Sequence, residues 1–265
     1  MRRPPVVLVL ALVLLSGCSG LGLGLGSEQA PPSDQRALDA VNQSRTALSD
    51  LRSYRFTTRM TVSASSDDES RTVTVVGDGA VNLTTERMRS TVRVQNGASG
   101  WQGDDERSSY VVDRTAYAAC GGPTGGWETR NVSDDAPWAA ATPIGRQLQL
   151  LQATNVYWRG TETVNGTEAG VVVAHPTKEE LAAASSSTRE TVNWDRVTVT
   201  NATVTLYVDT ETGRPVKSVQ RVEIKQRGAT GTATFELTYW GFDRPVDVSV
   251  PGEVYDHVWN LGCPG

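Results

Sequence analysis

The sequence predicts a mainly β, α+β fold built on one strongly curved antiparallel sheet with a few helices. Hydrophobic residues alternate with period two along most of the chain after residue 53, which is typical of strands with one buried face. Turn dipeptides join neighbouring strands directly, which favours hairpins. A sheet of so many long strands closes into a barrel or covers its concave face with helices.

Three segments carry helical periodicity instead. In the segment 34–51, Leu38, Val41, Leu48 and Leu51 share one face after a Ser33/Asp34 cap signal. The segment 143–153 places apolar residues on one face in the same way. A Thr-x-x-Glu capping box at residues 177–180 opens a third, short helix that ends near residue 185.

The first half of the chain after residue 53 predicts five strands. In the first of them the apolar-rich face consists of six residues: Tyr54, Phe56, Thr58, Met60, Val62 and Ala64. The predicted strands that follow are 71–81, 86–95, 108–118 and 127–132. In the third, Met88, Val92 and Val94 face one way and three arginines face the other.

The second half predicts strands that return in pairs. The segments 156–164 and 169–175 flank Asn165-Gly166, a dipeptide that favours a tight hairpin turn. The segments 198–209 and 215–226 are joined by Thr-Glu-Thr-Gly, and the segments 231–240 and 246–250 complete the set.

The N-terminus predicts export and lipid attachment. Arg2 and Arg3 precede an unbroken apolar run, 6–15, which is too short to span a membrane and is typical of a signal peptide. The run leads into Leu-Ser-Gly-Cys18, which resembles the lipobox of prokaryotic lipoproteins, in which the cysteine is lipidated. The alternative is an ordinary or uncleaved signal with an incidental cysteine, and the export route stays open.

These features divide the chain into a signal peptide (1–17), the lipidated Cys18 with a Gly/Pro linker (18–33) and one domain (34–265). We therefore expect a protein tethered by lipid at the extracytoplasmic face of the cell membrane.

The amino-acid composition limits the classes of partner that the protein is expected to bind. The net charge is −5, three residues are lysines, and acidic clusters occur at 67–69, 104–106 and 134–135. Such a composition resembles that of secreted proteins of salt-loving archaea, whose acidity keeps them soluble. A nucleic-acid partner is disfavoured, because the chain has no basic stripe to neutralise phosphates.

Cysteines and sequons agree with export. With Cys18 lipidated, Cys120 and Cys263 remain as an even pair, which favours a disulfide in an oxidising compartment. Five possible N-glycosylation sites match Asn-x-Ser/Thr: Asn42, Asn82, Asn131, Asn165 and Asn201. If they carry glycans, those positions face solvent.

A family resemblance rests on motifs of the C-terminal half. Gly-Thr-Glu-Thr-Val-Asn-Gly at 160–166, Leu-Tyr-Val-Asp-Thr-Glu-Thr-Gly-Arg-Pro-Val at 206–216 and Phe-Glu-Leu-Thr-Tyr-Trp-Gly-Phe-Asp-Arg-Pro-Val at 235–246 carry the likeness, with Val-Ser-Val-Pro at 248–251. With the lipobox and the amphipathic helix, they resemble the LolA/LolB-like lipoprotein-carrier superfamily, in particular the LppX/LprG type. These motifs shape a fold and carry no chemistry.

The resemblance implies a half-open barrel whose concave face and helices enclose an apolar cavity for acyl chains. It also implies that the protein binds or carries a lipid or another hydrophobic ligand. Seven inward-facing residues are the candidate cavity lining, although each is first a core residue: Phe56, Met60, Met88, Val92, Leu206, Phe235 and Leu237. Because a fold alone does not fix function, the cargo of this chain can differ from that of the carriers.

We do not expect an enzyme, a cofactor or a metal site. The chain has two histidines, His175 and His257, and neither belongs to a recognisable catalytic or metal-ligand pattern. The Gly-rich segment 121–126 lacks the lysine of a phosphate-binding loop, and the segment 209–213 lacks the full spacing of a calcium loop.

Two non-catalytic functions remain. In one, the domain holds a lipid-like ligand in its concavity. In the alternative, its own side chains fill the core, and the domain is a cell-surface protein-interaction module, with other envelope proteins as possible partners. The chain contains seven tryptophans, and tryptophan suits both pocket rims and protein interfaces.

Overall fold

A computed structural model describes residues 30–66, 70–96, 106–120, 125–132, 137–185, 194–226, 229–259 and 263. The chain from Pro32 to Gly265 forms one compact unit. The predicted signal peptide, Cys18, most of the linker and the acidic clusters 67–69 and 134–135 lie outside the described residues, as do 104 and 105.

Four α-helices are present among the described residues: α1 (Gln35–Asp50), α2 (Trp138–Ala141), α3 (Pro143–Ala153) and α4 (Lys178–Ser185). Helices α1, α3 and α4 confirm the three predicted helices, whereas α2 was not predicted because four residues carry too little periodicity. The predicted caps are confirmed as well. Asp34 accepts a hydrogen bond from the amide of Arg36, and Thr177 and Glu180 bond reciprocally to each other's backbone amides. None of the described helices is long and apolar enough to cross a membrane.

The described residues form twelve strands of one sheet. In chain order they are β1 (Ser53–Ser65), β2 (Ser70–Asn82), β3 (Arg87–Asn96), β4 (Glu106–Val112), β5 (Thr115–Ala119), β6 (Trp127–Asn131), β7 (Val156–Val164), β8 (Thr167–Ala174), β9 (Thr198–Asp209), β10 (Pro215–Gln226), β11 (Ala229–Trp240) and β12 (Val258–Trp259). Apart from β12, which runs parallel to β6, neighbouring strands pair antiparallel. The sheet is open, which confirms the predicted mainly β fold and agrees with a half-open barrel.

The strand order is β12-β6-β5-β4-β3-β2-β1-β11-β10-β9-β8-β7. Two antiparallel meanders, β1 to β6 and β7 to β11, are therefore joined side by side by the pairing of β1 with β11. Strands that are neighbours in sequence pair within each meander, as the predicted hairpins require, but β6 and β7 do not pair. A pairing between strands far apart in sequence leaves no local signal from which to predict it.

Turn geometry explains one wrong strand and one correct hairpin. Asn165 and Gly166 both have positive φ, 50° and 83°, as the predicted tight hairpin requires. Asp113 and Arg114 also have positive φ, 49° and 58°, and turn the chain between β4 and β5. The single strand predicted at 108–118 is therefore wrong, because the Asp-Arg dipeptide gives no strong turn signal.

The main core lies between one face of the sheet and helices α1, α3 and α4. Tyr54, Val204 and Val172 contribute from the sheet, and Ile144 and Leu151 contribute from α3. Each of these five side chains is buried. We call this side of the sheet the inner face and the other side the outer face.

The C-terminal segment from residue 244 to residue 259, which we call the strap, crosses the outer face. Ser53 donates to the carbonyl of Arg244 at 2.5 Å, and Asn82 donates to the carbonyl of Val246 at 3.1 Å. Val246 and Val248 pack on Ala80 of β2. The strand predicted at 246–250 is therefore wrong: this segment is extended, but its carbonyls pair with side chains instead of a neighbouring strand.

Gly79 of β2 makes a close approach possible on the inner face. A Cβ atom built at this position would overlap the ring of Phe56, which is 4% exposed. We expect Gly79→Ala to lower the free energy of unfolding by about 1–3 kcal/mol, since the ring has to leave its packed position. Denaturant unfolding measures the change. Gly252→Ala is the matched control, because no atom lies within 4 Å of its added Cβ, and an equal loss there would contradict the packing explanation.

Candidate functional site

The seven predicted cavity residues lie on the inner face. Strand register shows this directly, because residues opposite each other on neighbouring strands point to the same side. Phe56 lies opposite Tyr239, Met60 opposite Phe235, and Leu237 opposite Thr58. Met88 and Val92 of β3 continue the same face through Val81 and Gly77 of β2.

The helices cover only part of this face, and the seven residues divide accordingly. Phe56 and Leu206 are 4% and 1% exposed and belong to the packed core. Met88 and Leu237 are partly buried against the same core. These four residues contribute first to stability, as core side chains do.

Beyond the helices the inner face continues as an apolar strip, which we define by Met60, Val62, Ala233 and Phe235. Met60 is opposite Phe235, and Val62 is opposite Ala233, so the four side chains form a contiguous two-strand surface. Phe235 and Val62 are each 36% exposed, although both are large apolar residues. An apolar surface that adjoins a core and stays accessible can bind an apolar ligand.

A pocket of about 570 Å³ lies on the wing formed by β3 to β6, which β2 separates from the strip. Val92 belongs to its wall, which also contains several polar side chains: Ser90, Arg107, Ser109 and Glu128. Ser90 and Ser109 are hydrogen bonded to each other at 2.7 Å. The wing therefore differs from the purely apolar lining that the resemblance implies for the cavity.

A second pocket, of about 460 Å³, has walls drawn largely from the outer face of β1 to β3. Arg59 and Arg93 lie in its wall together with Asp78, Glu106 and Glu236. The charges of both signs are mixed, and Glu236 also forms an ion pair with Lys217 at 3.1 Å. Such an arrangement is typical of a solvated sheet face.

Two buried tyrosines lie beneath α3. The hydroxyl of Tyr54 accepts a hydrogen bond from the amide of Ile144 at 3.4 Å, and Tyr239 and Ser218 are hydrogen bonded at 2.9 Å. Burial raises the pKa of both phenols well above 10, because the charged form would lose its hydration. Both are therefore protonated at neutral pH and serve as hydrogen-bonding members of the core.

Two glutamines that the sequence analysis did not single out lie at the border between the core and the strip. Gln147 of α3 donates from Nε2 to Oε1 of Gln220 of β10, at 3.5 Å. The Cα of Gln220 lies opposite that of Phe235. The sequence signal was weak: Gln147 neighbours the apolar positions of α3, and Gln220 occupies an inward position of a strand in the alternating pattern.

The structure contains the predicted disulfide between Cys120 and Cys263, with 5.5 Å between the Cα atoms. The bond joins the end of β5 to the chain beyond the strap. It therefore attaches the chain beyond the strap covalently to the β5–β6 edge of the sheet, where Cys263 lies beside Glu128.

The five sequons differ in their surroundings. Asn42, Asn131, Asn165 and Asn201 are exposed. Asn82 is half-buried, and its Nδ2 donates to the strap carbonyl of Val246. A glycan on Asn82 would have to displace this bond, so the structure favours the other four positions.

His175 and His257 lie in separate parts of the fold, His175 just after β8 and His257 in the strap. His175 packs against Tyr157, with 6.4 Å between the ring centroids, and the carbonyl of His257 accepts a hydrogen bond from Trp127. Among the described residues, no group of three or more His, Cys, Asp or Glu side chains is placed to hold a metal ion.

Several solved structures are similar to the chain. The Mycobacterium tuberculosis lipoprotein LppX is 14% identical, with 82% of this chain and 100% of that chain covered and a TM-score of 0.43. LprF of Mycobacterium bovis is 15% identical, with 83% and 99% covered and a TM-score of 0.45. A putative outer membrane lipoprotein-sorting protein domain of Vibrio parahaemolyticus is 10% identical, with 80% and 95% covered and a TM-score of 0.26. At these scores the similarities carry no functional assignment.

No curated protein matches the chain significantly. A family model described as a family of unknown function, DUF7537, matches residues 3–217, which is most of the chain.

Proposed function

Since the chain belongs to the DUF7537 family, whose function is unknown, we propose that this member is a lipid-anchored extracytoplasmic protein that binds a lipid or another long-chain apolar ligand. The ligand lies on the apolar strip, against Met60 and Phe235. The observation that carries this proposal is the partial coverage of the inner face. The helices end before the strip, and Phe235 and Val62 stay 36% exposed beside a packed core.

The energetics favour a long apolar chain on this surface. Each methylene removed from water contributes about 0.8 kcal/mol, so a few methylenes against Phe235 and Met60 give useful affinity. The strip runs along β1 and β11, and its direction therefore suits an extended chain. Val92, at the polar wing, marks one border of the ligand site.

The location rests on the sequence. An apolar run that is too short to span a membrane and leads to Cys18 supports export followed by lipid attachment. Low lysine content and an acidic balance support an external medium of high salt, as in salt-loving archaea. We also propose that the protein is most similar to lipoproteins of the LppX/LprG type, and the motifs at 160–166 and 235–246 support this similarity.

Photo-crosslinking in native membranes tests the binding proposal with the full chain in place. We expect a diazirine-bearing long-chain hydrocarbon probe to label peptides that contain Met60 or Phe235. Phe235→Arg should reduce the labelling about tenfold, since losing contact with two methylenes costs about 1.6 kcal/mol and about 1.4 kcal/mol is a factor of ten.

Thr234→Arg is the matched control, because Thr234 lies next to Phe235 on the same strand but faces the outer side. Its labelling should equal that of the wild type. Absence of labelling on β1 and β11 in the wild type would overturn the proposal, and so would an equal loss in both variants.

A second candidate function is a protein-interaction module, and aromatic residues of the outer face favour it. Tyr255 of the strap is 54% exposed and packs edge-on against Tyr117, with 5.6 Å between the centroids. Trp240 of β11, which lies opposite Arg55 on the same face, is 48% exposed. Exposed aromatic side chains are enriched at protein interfaces. This candidate becomes the better one if the strip binds no ligand.

A further inference from the structure

We infer that Gln147 and Gln220 form a head-group subsite at the helix-covered end of the apolar strip, and that it selects a long-chain ligand with an uncharged hydroxyl or amide head. This inference rests on the proposed function and narrows it, because it specifies the polar end of the ligand. Nothing in the lipoprotein resemblance or in the family match assigns a role to either glutamine.

The two glutamines lie where α3 borders the apolar strip. Gln147 projects from α3, the helix that borders the uncovered part of the inner face, and its Nε2 reaches Oε1 of Gln220 at 3.5 Å. On β10, Gln220 lies opposite Phe235 of the strip on one side and opposite Val204 of the core on the other. The polar end of a chain lying on the strip can therefore reach these two amides beside Phe235.

The pair also has an unused hydrogen-bond acceptor. Oε1 of Gln147 is buried and has no hydrogen-bond partner in the part of the chain that the structure describes. A buried acceptor without a partner destabilises a protein, and native structures rarely retain one without a reason. A ligand group that donates a hydrogen bond at this place would satisfy it.

The number of unused hydrogen-bond donors and acceptors in the pair does not depend on how either amide is oriented. Two glutamines joined by one N–H···O bond always retain one amide oxygen as an acceptor and amide hydrogens as donors. A hydroxyl or an amide both donates and accepts, so it matches both remaining capacities. An ionised carboxylate would accept only, and it would leave the buried oxygen unpaired beside a negative charge.

The surroundings agree with an uncharged head group. Ser218 lies one inward position from Gln220 on β10, and Tyr239 lies two inward positions from Phe235 on β11; their side chains already bond to each other. Tyr54 is bonded to the start of α3. Arg146, the neighbour of Gln147 on α3, is near both phenols and is engaged in interactions of its own. An uncharged head group needs no charged partner at this end, whereas burying a charged head without a dedicated partner is costly.

Three diazirine probes with the same long chain test the inference on the full protein in native membranes: an alcohol, a carboxylate and a hydrocarbon without a head group. We expect Gln147→Leu to reduce labelling by the alcohol about tenfold, the effect of losing one or two hydrogen bonds. Labelling by the hydrocarbon should stay unchanged. Each probe partitions into the membrane to the same extent whichever variant is present. The ratio of wild-type labelling to variant labelling by one probe is therefore independent of how strongly that probe enters the membrane.

Gln149→Leu is the matched control, because Gln149 is exposed on the same helix. Gln220→Leu is the second variant and should repeat the effect of Gln147→Leu, which protects the test against a folding defect in one of them. Equal losses for the alcohol and the hydrocarbon, or unchanged labelling by the alcohol, would overturn the head-group subsite alone. Labelling by no probe in the wild type would overturn the proposed function and the subsite with it.

Discussion

Removing the disulfide with Cys120→Ala and Cys263→Ala together is expected to lower the free energy of unfolding by about 3–5 kcal/mol. The two residues are 143 positions apart in sequence, and the chain-entropy model gives the largest stabilisation for such long loops. The bond also ties the chain beyond the strap to the sheet edge, while Ser53 and Asn82 hold the first residues of the strap on the outer face. Denaturant unfolding of the full protein, at constant salt, measures the loss.

A reducing agent provides the control. Dithiothreitol should shift the unfolding midpoint of the wild type toward that of the double variant and leave the variant unchanged. A loss below about 1 kcal/mol would show that the hydrogen bonds of the strap suffice, and that the unfolded chain gains little freedom from the missing bond.

Alternation along the chain predicted the strands and their faces well, because side chains on a strand alternate by geometry. In β1 the face carrying Tyr54, Phe56 and Met60 is the inner face, as predicted, and the Asn165-Gly166 hairpin is present. The predictions that failed concerned pairings between segments distant in sequence, or segments without a local sequence signal. The pairing of β1 with β11 joins distant segments, and the first residues of the strap bond to side chains of β1 and β2.

The sequence predicted on which face of the sheet the candidate site residues lie, but not how much of that face stays uncovered. Alternation places Phe56, Leu206 and Phe235 on the same side, yet Leu206 is 1% exposed and Phe235 is 36% exposed. The difference depends on how far α1 and α3 reach across the sheet, which no periodicity encodes. The contact between Gln147 and Gln220 joins a helix to a strand 73 positions away, so it required the fold.

Cys18→Ser is expected to release the protein from the membrane into the medium almost completely. Lipid attachment needs the thiol, so this substitution removes the lipid that holds the protein at the bilayer. Cell fractionation with detection of the domain measures the change. Ser19→Ala is the matched control and should stay in the membrane fraction.

The same variant decides between the two interpretations of the N-terminus. If the apolar run 6–15 is an uncleaved signal, it anchors the protein without Cys18, and Cys18→Ser stays in the membrane fraction. If the signal is cleaved and carries no lipid, the wild type is already in the medium. Release of Cys18→Ser alone, together with a lipid-sized mass on the wild-type peptide that begins at Cys18, fits only the lipid anchor. The domain would then be held where a ligand of the apolar strip can reach it directly from the bilayer.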